Sequence, residues 1–234
     1  VIRSFLPIPL LFLAIWEAAA RMPLPPARPD SLGGDFSLPA PAAEPAKPVP
    51  KPSALPPDAP AAVVIERVNA ALNRLEVMEA EFVQMSGGRQ MTGQFYLQKP
   101  GKLRFDYDAP SPLEIISDGS TVAIRDRKLA TQDLYSIGQT PLKFLVRERI
   151  DIARDLKVTG IRVDPDRVIV AVEDKATFSG TSRVTLFFDQ PSLTLRQWTV
   201  IDPQGNDVSV LLRKIDTSRR PDPSLFFIDL TIIR

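Results

Sequence analysis

Between positions 93 and 127 apolar and polar residues alternate in short runs set apart by turn residues. Phe95 and Leu97 alternate with Gln94, Tyr96 and Gln98, Lys99-Pro100-Gly101 interrupts, and Leu103, Phe105 and Tyr107 then alternate with Arg104, Asp106 and Asp108. A period of two gives each run one apolar and one polar face, as in a half-buried strand. Beyond Ala109-Pro110-Ser111-Pro112, the run 113–117 reaches Asp118-Gly119, a pair that favours a tight hairpin. Val122 and Ile124 then alternate with Thr121, Ala123 and Arg125. The pattern predicts an antiparallel meander with a greasy inner face.

Ahead of the meander the period changes. Val64, Val68, Leu72, Leu75, Met78 and Phe82 recur every three or four residues, which predicts one amphipathic helix ending near Met85-Ser86-Gly87-Gly88. Asp58 is its expected cap and Pro60 suits its first turn. A second short helix is expected after Thr140-Pro141, with Leu142, Leu145 and Val146 on one side. Further strands are predicted over residues 156–163, 167–173, 183–188, 193–202, 208–215 and 225–230, with Asp164-Pro165-Asp166 and Pro203-Gln204-Gly205-Asn206 as turns. The total is nine or ten antiparallel strands against two or three helices.

A sheet of that size built from consecutive hairpins must curl, and amphipathic helices need an apolar surface to lie on. The expected fold class is therefore α+β: a strongly curved antiparallel sheet, or unclosed β-barrel, whose concave face the helices cover. Periodicity alone does not separate a packed core beneath such a lid from a cavity.

Composition narrows the chemistry. The 234 residues include no Cys and no His, and the formal charge is +1. Thiolate and imidazole chemistry are therefore excluded, whether as nucleophile, general base or zinc ligand. Near-neutrality speaks against a nucleic-acid partner, which calls for a concentrated positive field. There is no Gly-x-Ser-x-Gly, phosphate-cradling Gly-rich loop or Asp-rich calcium loop. The carboxylate pairs Glu79 with Glu81, Asp106 with Asp108 and Asp164 with Asp166 sit at a polar margin or in turns, so they read as solvated surface. Trp198 reads as core. No enzyme, metal or cofactor is expected.

The N-terminal stretch has the form of an export signal over residues 1–20. Arg3 precedes an apolar run over residues 5–16, and Ala18-Ala19-Ala20 offers a small-x-small cleavage pattern. Residues 21–60 contain thirteen Pro and read as a disordered Pro/Ala-rich linker, because such a segment buries too little apolar surface to offset ordering. Residues 61–234 then form one domain.

The run Gly93-Gln94-Phe95-Tyr96-Leu97-Gln98-Lys99-Pro100-Gly101-Lys102-Leu103-Arg104-Phe105-Asp106-Tyr107 resembles the Gly-x-(aromatic or Leu)-x-x-(Lys/Arg)-Arg-Pro-x-x-(aromatic) signature of the periplasmic outer-membrane lipoprotein carrier family, the LolA-like proteins. Phe82-Val83-Gln84, Ser117-Asp118-Gly119 and Thr140-Pro141-Leu142 are similar to further family features in the same order. The resemblance implies a monomeric periplasmic carrier that hides the acyl chains of lipoproteins between an unclosed barrel and an α-helical lid. The implied partners are lipoproteins or acyl lipids, an inner-membrane lipoprotein-releasing transporter and an outer-membrane receptor.

On that basis Phe95, Leu97, Leu103, Phe105 and Val122 are the expected acyl-chain cavity on the sheet, and Met78, Phe82, Leu142 and Leu145 the expected lid. Lys99 stands where the family places an Arg that ties sheet to lid; a Lys keeps the charge but loses the bidentate fork, implying a looser latch. A lipid-binding or envelope-sensing module on the same fold is the alternative.

Overall fold

The computed structural model describes residues 53–140, 143–177 and 180–232. The expected export signal, the linker up to residue 52 and Leu142 lie outside the described residues. Helix α1 (Ala61–Arg74) is followed by β1 (Val77–Ser86), β2 (Arg89–Gln98), β3 (Lys102–Tyr107), β4 (Leu113–Asp118), β5 (Thr121–Asp126) and β6 (Thr131–Ser136). Two one-turn helices, α2 (Lys143–Val146) and α3 (Ile152–Asp155), lead to β7 (Lys157–Val163) and β8 (Arg167–Thr177). The strands β9 (Gly180–Asp189), β10 (Thr194–Ile201) and β11 (Asp207–Asp216) complete the sheet.

The eleven strands form one antiparallel sheet in the order β6-β5-β4-β3-β2-β1-β11-β10-β9-β8-β7. The edge strands β6 and β7 do not pair with each other, so the barrel-like sheet stays open. The segment carrying α2 and α3 runs from one edge strand to the other, and α1 buries Val64, Ile65, Val68 and Leu72 in the core that lines the inner face.

The first helix is shorter than its apolar spacing predicts. It ends at Arg74, Leu75 turns into extended backbone, and Met78 and Phe82 belong to β1 rather than to a lid helix. On β1 the buried residues are Met78, Ala80, Phe82, Gln84 and Ser86, a strict period of two. Both flanks of the strand are hydrogen-bonded, to β2 and to β11, and that pairing outweighs helix propensity. Gly87 and Gly88, with φ of +54° and +74°, form the two-residue turn of the β1–β2 hairpin instead of stopping a helix. Asp58 does not cap α1: Pro60 occupies the cap position with no side-chain bond.

Two further differences concern the strand count. Thr131–Ser136 pairs with β5 as an edge strand, although its sequence carries no apolar alternation; its one buried residue, Gln132, lies on the outer face under the C-terminal segment. Residues 225–230 are not a strand. They include part of a 3-10 turn (Pro223–Phe226), and the chain crosses the outer face of β3 to β6. This covering segment explains why β4 is buried on both faces, with Ile116 and Ala123 packing on Ile228 in a small second core. At the other end Leu55 is buried in the main core, so the packed chain begins inside the segment read as linker.

Candidate functional site

Alternation along β2 and β3 places Phe95 opposite Phe105 and Leu97 opposite Leu103, all four on the inner face. These four residues, Val122 of β5 and Leu145 of α2 lie buried in one core with Met78 and Phe82 of β1. The ring of Phe105 meets Phe82 edge-on at 5.2 Å and Phe95 at 4.7 Å, and Trp198 of β10 lies 6.0 Å from Phe95. Such offset and edge-on contacts are the favourable geometries for aromatic pairs. The interior beneath α1 is thus filled by the protein's own side chains. The side chains that α1 buries there are Val64, Ile65, Val68 and Leu72, of which Val64, Val68 and Leu72 belong to the stripe visible in the sequence, and α2 adds Leu145 and Val146.

The helical segments are fastened by a few polar bonds. Lys99, in the turn between β2 and β3, donates from Nζ to the Leu72 carbonyl at 2.7 Å, in the last turn of α1. Its own amide donates to the Glu76 carbonyl at 2.8 Å. A cation near a helix C-terminus is favoured by the helix dipole. Burial strips water from this ammonium and lowers its pKa to about 8. Two residues on, the Gly101 amide donates to the Val146 carbonyl of α2 at 2.7 Å, so a single hairpin turn touches both α1 and α2.

Other bonds close the same frame. Asn73 of α1 donates to the Ile150 carbonyl at 2.9 Å and accepts from the Ile150 amide at 2.7 Å, while Asn69 accepts from the Ile152 amide at 3.0 Å. Lys143 of α2 reaches both carboxylate oxygens of Asp174 on β8, at 3.0 and 2.8 Å. Inside the core, the Tyr107 hydroxyl donates to Gln84 Oε1 at 2.7 Å, and burial pushes its pKa up.

A cavity of about 430 Å³ opens where α1 ends, within the range of about 300–1,000 Å³ usual for ligand pockets. Ala71 and Leu72 form its helical wall, Leu75, Met78 and Leu195 are further apolar residues of its lining, and Arg74 and Arg220 also line it. Among the described residues assigned from the sequence to cavity, lid or latch, only Met78 borders it.

The carboxylate pairs do not converge. Glu79 and Glu81 face Arg219 and Lys214 at 3.7 and 2.6 Å on the outer side of β1, not on a helix margin. Asp106 pairs with Arg104, Asp164 with Arg162 and Asp166 with Arg167. Among the described residues no group of three or more Asp or Glu side chains is placed to hold a metal. A cluster absent from the sequence reading lies on the outer face. Glu114, buried, accepts from Arg104 at 3.2 Å and Arg127 at 3.0 Å, with Arg125 at 3.5 Å. Arg104 also holds the Leu225 carbonyl and Gln132 holds that of Asp229, so this network fastens the C-terminal segment.

A family model described as outer membrane lipoprotein carrier protein LolA matches residues 73–229. The outer-membrane lipoprotein carrier protein of Methylococcus capsulatus is 34% identical over 79 residues, covering 31% of this chain and 38% of that protein. Its counterpart in Azotobacter vinelandii is 30% identical over 105 residues, covering 41% and 51%. The chain thus spans two fifths to one half of the length of these curated relatives. The counterpart in Pseudomonas aeruginosa is 25% identical over 180 residues, covering 71% and 83%. Among solved structures, the LolA superfamily protein NE2245 of Nitrosomonas europaea is 8% identical with a TM-score of 0.41, covering 70% of this chain and 97% of that one. At that score the structural likeness carries no functional conclusion.

Proposed function

For this chain, which belongs to the outer membrane lipoprotein carrier protein LolA family, we propose a periplasmic carrier that shelters the acyl chains of a lipoprotein beneath α1 and α2 while it crosses between membranes. The observation that supports this most is the makeup of the interior. A continuous apolar inner face is covered by short helices that a few polar bonds hold, rather than by further sheet. Among the described residues no helix is long and apolar enough to cross a membrane.

Magnitudes show how a filled interior can still serve. Each buried methylene contributes about 0.8 kcal/mol, so a chain of about sixteen carbons gains roughly 12 kcal/mol on leaving water. Full burial of Val64, Ile65, Val68 and Leu72 is worth about 1.5–3 kcal/mol apiece, roughly 6–12 kcal/mol together. The two sums are of one order. Entry of an acyl chain is then an exchange, in which cargo takes the place of the lid groups against Phe95, Leu97, Leu103, Phe105 and Val122. A near-balanced exchange lets the protein load and unload without consuming ATP, whereas a permanently open dry pocket would retain its cargo. In this reading Lys99 is the latch between sheet and α1. Its single ammonium bond to Leu72 releases more readily than a forked guanidinium would.

The test is to purify the full chain from a cell envelope and identify bound material by mass spectrometry. Acylated protein is the expected result. Bare glycerolipid would favour a lipid-binding or sensing module instead, and neither would refute both.

A further inference from the structure

We infer that the cleft at the end of α1 is a headgroup subsite for an anionic lipid whose acyl chain enters the interior beneath the helix. The inference rests on the acyl-chain site beneath α1, which the carrier reading above shares with the lipid-binding alternative. Four of the cleft's lining residues, Leu72, Met78, Leu193 and Leu195, are at the same time members of the main core, so the cleft abuts the space that α1 covers. Its helical wall is the turn held by Lys99 through the Leu72 carbonyl, and any opening of that turn widens this mouth first.

The lining changes character toward solvent. Arg74, from the last turn of α1, and Arg220, beyond β11, both line the cleft and are both exposed. Ser192, Thr194, Thr217 and Ser218 also line it; the Ser192 and Thr194 hydroxyls bond each other, and that of Ser218 donates to Asp216. The one carboxylate in the lining is that of Glu76, so two cations face one anion. The neighbouring cations Lys214 and Arg219 are engaged by Glu81 and Glu79. A cleft with an apolar wall and two arginines against one carboxylate at its rim complements one molecule class well: hydrocarbon joined to a phosphate diester. A neutral glyceride would fill the apolar part and leave the arginines unused.

The test is calorimetric titration of the full chain with two submicellar probes, palmitoyl lysophosphatidylglycerol and monopalmitoylglycerol. The anionic probe should bind at least about tenfold more tightly, the scale of one charge-assisted hydrogen bond. That preference should shrink in about 1 M salt, where the screening length is about 3 Å. In the Arg74→Gln/Arg220→Gln double variant, whose positions are exposed and whose folding is checked by circular dichroism, the preference should fall to near parity. Equal binding of both probes by the unmodified chain, or a preference that survives salt or the double variant, overturns the subsite and leaves the carrier reading standing. Failure to bind either probe overturns both.

Discussion

Removing the charge of Lys143 should loosen the α2 end of the lid, and two ion pairs on the same strand set the scale. Lys143 and Asp174 are 9% and 3% exposed, whereas one residue away Lys157 and Glu173, 3.0 Å apart, are 63% and 26% exposed. An exposed pair contributes about 0–1 kcal/mol, while removing one member of a buried pair costs about 3–5 kcal/mol because its partner stays charged in low dielectric. Lys143→Met should therefore destabilise by roughly 3 kcal/mol or more and Lys157→Met by less than about 1 kcal/mol. The penalty is comparable to the burial of Leu145 and Val146, about 1.5–3 kcal/mol each, which is what docks α2. Lifting the turn to hydrate Asp174 is then a competitive escape. Urea unfolding gives the global loss, and hydrogen exchange over residues 143–150 gives the local one. Lys143→Met/Asp174→Leu should recover much of the stability, since an apolar pair spares both desolvation costs. Equal effects of the Lys143 and Lys157 substitutions would refute the reasoning.

Two further outcomes follow from single positions. In Gly93→Ala the new Cβ would clash with the Asp106 carbonyl oxygen and sit 2.7 Å from Phe82 Cε1, and the first contact is backbone that cannot rotate away. A loss of about 3 kcal/mol or more is expected by urea denaturation, at or beyond the upper end of usual overpacking costs, and a loss under about 1 kcal/mol would contradict it. Burial lowers the pKa of Lys99 in the folded chain from the usual 10.5 to about 8. Between those values the unfolded chain binds more protons than the folded one, so this group's contribution to stability rises with pH across that window and is constant below and above it. Lys99→Arg does not titrate there, so the stability of the unmodified chain relative to this variant should climb from pH 8 to about 10; a flat difference would count against the buried ammonium.

The meander was legible because burial on one face writes itself as alternation: Phe95, Leu97, Leu103 and Phe105 could be assigned to one side from the sequence, and they lie there. Residues 77–86 misled for a physical reason. Leu72, Leu75, Met78 and Phe82 fall at helical spacing, while the positions completing the strand's inner row are Ala80 and Gln84, which carry little hydrophobic signal. Gln84 is tolerated inside because the Tyr107 hydroxyl reaches it, a bond that depends on strands 23 residues apart. Strand β6 was hidden likewise: its one buried residue, Gln132, lies under the C-terminal segment and is satisfied by Arg125 and by the Asp229 carbonyl. The Glu114 cluster gathers arginines from three separate positions, which no local pattern announces. Whether the inner face is packed or hollow was equally unreadable, because the same Leu and Phe serve both.

The exchange of lid groups for acyl chains is tested most directly by photo-crosslinking. A photoreactive phenylalanine analogue is placed at Phe105, in the buried interior, or at Phe227, 70% exposed, and the protein is illuminated with an acylated lipopeptide. Crosslinks from position 105 to the acyl chains, with few or none from position 227, are the expected result. Crosslinks confined to position 227, with an interior that stays closed to lipid, would contradict the carrier reading.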